Sequence, residues 1–293
     1  MMTCLQNLRR LSIGAAMLVA LVSCVANAQT IVTPVDVEAR GLQSVINEVP
    51  VGGILILGSG EYSANAVVSQ PILIVAEAEA VLRPEDPSVA VLTIRDTEDV
   101  LICGLTVEEA SRGIEVLNSS CTIARCLINS FDIGIEVLSP GPHVAAIQDC
   151  AIAGKGIGIE VVGAGTAVVT DCEIRVSGTG IMVAGLASLV ANHCSISRCL
   201  DGIVAATSAD VLLYANTIME NLSTGIRLAS VPPELKDLAR GILSAVDNTI
   251  AENVNWGGHL YDLRRDDLPV SSHAGGRLRE QVRWKRYRIH LPR

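Results

Sequence analysis

Gly134-Ile135-Glu136-Val137, Cys150-Ala151-Ile152, Gly158-Ile159-Glu160-Val161, Cys172-Glu173-Ile174, Gly180-Ile181-Met182-Val183 and Cys194-Ser195-Ile196 follow one another within 63 residues. Extended in both directions, the Gly-Ile pair recurs at Gly113, Gly134, Gly158, Gly180, Gly202 and Gly225, at spacings of 21, 24, 22, 22 and 23. A second column reads Gly104, Cys126, Cys150, Cys172, Cys194, Asn216 and Asn248. The last spacing of 32 is one repeat plus a ten-residue insertion around Val231-Pro232-Pro233-Glu234. Two residues further on stand Thr106, Ile128, Ile152, Ile174, Ile196, Ile218 and Ile250. Alternate residues of a strand share a face, so the Cys/Asn column and the Ile column point to the same, interior side. A unit of about 22 residues with two or three short apolar strands cannot bury its own face and must stack on its neighbours. The pattern predicts an all-β chain, a single-stranded parallel β-helix of about eight coils.

Composition agrees. Of 293 residues, 49% are hydrophobic but only 2% aromatic, so Val, Ile, Leu and Ala must fill a narrow interior. Leu42, Val45, Ile46 and Val49 fall at helical spacing and Pro50 ends the run, which predicts a short N-terminal capping helix. Arg9-Arg10, the apolar run Leu11 to Val25 and Ala26-Asn27-Ala28 read as a signal peptide over residues 1–28. The protein is expected to be exported, to the periplasm, cell envelope or medium. Leu21-Val22-Ser23-Cys24 offers a competing lipobox reading, with a lipid anchor at Cys24. The run is too short for a transmembrane helix. The β-helix is assigned to residues 29–262 and a basic tail or cap to residues 263–293. Residues 29–256 carry 27 acidic against 11 basic side chains. Such a body argues against nucleic acid, which needs a basic footprint.

The helix, then Pro50-Val51-Gly52-Gly53-Ile54-Leu55-Ile56-Leu57-Gly58-Ser59-Gly60-Glu61-Tyr62, then the Gly-Ile and Asn/Cys-x-Ile repeats resemble the right-handed parallel β-helix (pectin lyase-like) superfamily. The resemblance spans roughly residues 36–262. It implies fold strongly and function weakly, because that superfamily includes pectate lyases, polygalacturonases, epimerases, tailspikes, adhesins and copper-binding periplasmic accessory proteins. The polygalacturonase motifs are not matched: Asp247-Asn248-Thr249 has the wrong order, and His259 follows Gly257-Gly258 but precedes Leu260.

Two surface columns are candidates for chemistry. The position before the Cys/Asn column reads Cys103, Arg125, Asp149, Asp171, His193, Ala215 and Asp247. With Glu173, its carboxylates are oxygen donors of the type that suits Ca²⁺. The resemblance implies a lyase arrangement in which Asp149, Asp171 and Glu173 hold the ion and Arg125 or His193 moves the proton. The second column is Glu115, Glu136 and Glu160, whose like charges favour a bound cation or a raised pKa. Seven cysteines lie outside the leader; a buried packing ladder is the first reading of them. Cys103 with Cys121 or Cys126, and Cys194 with Cys199, are the pairs to test for disulfides, and a thiolate ladder for copper is the third reading. The leading functional expectation is a non-catalytic solenoid that binds carbohydrate or a surface partner. A Ca²⁺-dependent polysaccharide lyase or epimerase and a periplasmic copper accessory protein are the alternatives.

Overall fold

The computed structural model describes residues 29–206, 208–229 and 242–259, with Gln281–Val282 and Tyr287–Arg288. The leader, the Pro232-Pro233 insertion and most of the tail lie outside the described residues. The chain forms a parallel β-solenoid of about nine turns, one more than the repeat count predicts.

One regular turn shows the plan. Val144–Gln148 belongs to a first ladder, Ala151–Gly154 to a second and Ile157–Gly163 to a third; the next turn starts at Thr166–Thr170. The first ladder runs from Gln29–Val32 through Ile54–Leu57 to Ile242–Val246, each strand parallel to the one before. In the turn before, second and third ladders are one bent strand, Leu127–Ser139, whose pairing with Thr106–Leu117 shifts register at the bend.

Interior packing follows the alternation read from the sequence. Ile128, Ile152, Ile174, Ile196 and Ile218 are in direct register and at most 2% exposed. Each contributes roughly 1.5–3 kcal/mol by leaving water. The Gly-Ile column has a steric cause. A Cβ on Gly158 would lie 2.5 Å from the Gly180 carbonyl oxygen and 2.7 Å from Ile174 Cγ2, and Gly113, Gly134, Gly180 and Gly202 are equally crowded. A side chain here would push adjacent turns apart.

Three readings are corrected. The predicted helix, Leu42–Glu48, buries Leu42, Val45 and Ile46, but a second helix, Pro34–Arg40, precedes it. Together they replace the second and third ladders of the first turn and pack against Gly60–Ser63 and Ala66–Val68. The first members of two columns also slip by one residue. Cys103 pairs with Ala124 and Thr106 with Leu127, so Leu105, not Gly104, occupies the Cys126 position and Val107 the Ile128 position. Gly104 instead takes the corner position of Arg125. Finally, no disulfide forms: all seven described cysteines are free and buried.

At the C-terminal end, Tyr287–Arg288 pairs antiparallel with Ile242 and Leu243, and Gln281–Val282 with Asn248 and Thr249. These short strands occupy open edges of the last turn, which would otherwise template pairing with another chain.

Candidate functional site

The corner column is set by backbone geometry. Between first and second ladders the chain turns through one left-handed residue per coil: Gly104, Arg125, Asp149, Asp171, His193, Ala215 and Asp247, with φ between 51° and 78°. Asp tolerates this conformation better than most side chains, which explains its presence at this corner without a ligand. Arg125, Asp149, Asp171, His193 and Glu173 are all exposed. Their contacts do not converge. Arg125 donates to Cys103 Sγ at 3.0 Å, the His193 ring meets Tyr214 edge-on at 5.8 Å, and Glu173 pairs with Arg175 on its own strand. Three coil steps, ~14 Å, separate Arg125 from His193. Among the described residues no group of three or more His, Cys, Asp or Glu side chains is placed to hold a metal ion. The Ca²⁺ expected from sequence therefore has no preformed cage among the described residues, either at this corner or along the Glu column.

Inside the corner, Cys126, Cys150, Cys172 and Cys194 lead into Asn216 and Asn248. Asn216 Oδ1 accepts the Cys194 N–H at 2.9 Å, and Asn248 Oδ1 accepts the Asn216 N–H at 2.8 Å. Each thiol instead faces main-chain carbonyls, as Cys150 Sγ does that of Gln148 at 3.2 Å. The Cys150 and Cys172 thiols are pushed up to about 12, chiefly by the neighbouring thiol and then by burial. A parallel ladder not read from sequence, Cys199, Asn221 and Asn253, lies at the next corner after left-handed Arg198, Glu220 and Glu252.

The outer face of the third ladder is the chemically distinctive surface. Glu115, Glu136 and Glu160 stand in direct register on consecutive turns. Thr93 donates to Glu115 Oε2 at 3.1 Å, and Arg112 Nη1 lies 3.6 Å from both Glu115 Oε1 and Glu136 Oε2. Glu136 is 7% exposed and its Oε2 is buried without a hydrogen-bond partner. Burial pushes the Glu136 carboxyl up; Arg112 opposes this, while Glu160, Glu115 and Asp132 add to it. Burial also raises Glu160, helped by Asp132 and opposed by Arg112. Two residues along, Leu117, Leu138, Val162 and Ala184 form a second, partly exposed row in the same register. The acidic row gives way to Met182 and Val204, then to Arg227, whose guanidinium donates to buried Asp201 at 2.7 Å. Arg112, Asp132 and the apolar row escaped the sequence reading. The signal for the row was present two residues after each Glu.

A shallow groove of about 300 Å³ also lies over the second ladder. Ala151 and Ala153 floor it between Leu127 and Asn129 on one side and Glu173 and Arg175 on the other. Its acids are already paired, Glu173 with Arg175 and Glu108 with Arg83 at 2.9 Å.

No curated protein matches the chain by sequence. Residues 134–265 match the family described as right handed beta helix region. Among solved structures the solenoid is similar to the pectate lyase Pel9A, with a TM-score of 0.62 at 12% identity over 85% of this chain and 82% of that one. It is also similar to an alginate lyase from Paenibacillus sp. str. FPU-7, with a TM-score of 0.52 at 14% identity over 80% of this chain and 99% of that one. At such identities the likeness is one of fold. No helix among the described residues is long and apolar enough to cross a membrane. The repeat, the parallel ladders and the match over residues 134–265 converge on one fold: the chain is a right-handed parallel β-helix.

Proposed function

We propose that the protein is an exported, non-catalytic solenoid that binds a polysaccharide laid along its axis on the outer face of the third ladder. One observation carries this reading. An acidic row, Glu115, Glu136 and Glu160, runs beside an apolar row, Leu117, Leu138 and Val162, in register over three consecutive turns. A sugar ring offers an apolar face and a rim of hydroxyls, and glycan sites pair apolar contact with a few placed polar groups. A track that repeats every turn, ~4.8 Å, suits a polymer better than a compact ligand. Similarity in fold to two polysaccharide lyases supports a carbohydrate partner. The lyase reading is less favoured, because Arg125 and Glu173 are engaged by Cys103 and Arg175 instead of facing a shared space.

Native electrophoresis through gels containing cellulose, chitin derivatives, chitosan or polygalacturonate tests the proposal. At least one polymer should retard the protein, and Leu138→Asp, which puts a charge into the apolar row, should abolish the retardation while the circular dichroism spectrum stays that of the parent. Unretarded migration in every gel, or full retardation of Leu138→Asp, would overturn it.

A further inference from the structure

We propose that the ligand of this track is a glycan bearing free ammonium groups, a polymer of amino sugars, and not a uronate polymer. The inference rests on the reading of the third ladder as a glycan site and names the class of glycan.

The face is short of positive charge. Glu115, Asp132, Glu136 and Glu160 act on one another, and Arg112 is the basic residue facing Glu115 and Glu136. Arg112 reaches neither by a hydrogen bond; both contacts are 3.6 Å. Glu160 has no hydrogen bond or ion pair with another described residue. Glu136 is 93% buried, with one carboxylate oxygen lacking any donor. That oxygen faces the Arg112 guanidinium at 3.6 Å, so the one nearby cation among the described residues is already committed to Glu115 and Glu136 and none is left for Glu160. The raised carboxyls of Glu136 and Glu160 are a consequence of the same deficit.

The shape of the deficit selects the partner. A divalent ion needs several oxygens converging on one point, and no such group exists among the described residues. The carboxyls are instead strung along the axis, one per turn. A linear polycation matches that distribution, with one ammonium opposite each carboxyl, and one coil step is comparable to the length of one sugar unit. An ammonium carries three donors and no acceptor, which is what the partly exposed Glu160 carboxylate lacks among the described residues. Leu117, Leu138 and Val162 would lie under the apolar faces of the sugar rings. A uronate chain would add like charge to a face that already carries too much.

Calorimetric titration at mildly acidic pH compares chitosan oligomers, fully N-acetylated chitin oligomers and oligogalacturonate. Chitosan oligomers should bind at least tenfold more tightly than the acetylated ones, their affinity should fall with added salt, and Glu160→Gln should weaken them about tenfold, equivalent to the loss of one charged contact. Glu160→Gln should not lower the thermal stability, since Glu160 makes no hydrogen bond and burial already disfavours its charged form. Equal binding of acetylated and free-amine oligomers, with Glu160→Gln silent, would overturn the amine inference and leave the glycan reading standing. Preferred binding of oligogalacturonate would overturn the inference in the same way. Absence of binding to all three, together with unretarded migration in the polysaccharide gels, would overturn both.

Discussion

Two stacks of like polar groups run along this solenoid, one inside the first corner and one outside the third ladder, and they obey opposite rules. The inner stack ends in Asn216 and Asn248. Asn248 Oδ1 accepts from both the N–H and the Nδ2 of Asn216, while Asn248 Nδ2 donates to the carbonyls of Leu213 and Val246. An amide holds donor and acceptor together, so copying it every turn satisfies each copy with the next. A carboxylate holds acceptors alone. Copying it gives Glu115, Glu136 and Glu160, where Thr93 serves the first and one oxygen of the second has no donor. Repetition multiplies geometry without cost. Whether it multiplies stability or strain depends on the donor and acceptor balance of the group repeated.

The contrast can be broken most severely from inside. Asn216→Ala removes the acceptor for the Cys194 N–H and the donor to the Ala191 carbonyl, both buried. Leaving buried groups unsatisfied costs about 1–3 kcal/mol each, so urea unfolding should show a loss of about 3 kcal/mol. A loss no greater than that of an exposed substitution would mean that the amide stack is not what holds this corner. Cys194→Asn extends the amide stack by one turn, towards the Cys172 N–H and the Val169 carbonyl that the thiol now faces at 3.5 Å. It should gain about 1 kcal/mol in the same assay, the net worth of a new hydrogen bond; a destabilised variant would show that the interior at Cys194 is too tight for an amide.

The outer stack sharpens the comparison through pH, with a smaller effect than either. The folded state raises the Glu136 and Glu160 carboxyls, so it holds their protons more tightly than the unfolded chain does. Their contribution to stability is complete below the ordinary Glu pKa of about 4.3 and is lost as pH rises through the raised folded values. Unfolding free energy measured across that window should fall with pH, and Glu136→Gln should remove part of the fall. A variant profile parallel to the parent's would mean that Arg112 already neutralises the column.

Much of the fold was legible because its contacts are copied. The Ile128 to Ile218 column is at once a sequence period and a physical ladder. Where the period varied, the reading slipped. The turn from Leu105 to Cys126 is one residue shorter than the turns around Cys172, and nothing local distinguishes Gly104 as a left-handed corner from Gly104 as a ladder member. The same ambiguity made Asp149 and Asp171 resemble ion ligands. Asp suits both a left-handed corner and a Ca²⁺ shell, and only the φ values near 52° and the lack of convergence separate the two.

By itself the sequence determined the period, the interior and exterior faces of each strand, and the stacking of Glu115, Glu136 and Glu160, because strand alternation and a 22-residue repeat are local properties of the chain. Tertiary structure alone decided that the thiols stay unpaired, that Arg112 lies between two carboxyls, that one oxygen of Glu136 is stranded, and that Leu117, Leu138 and Val162 line up beside them. Those facts depend on how turns of 21, 24 and 22 residues absorb their differences while adjacent strands stay ~4.8 Å apart. No period in the sequence records where that slack is taken up.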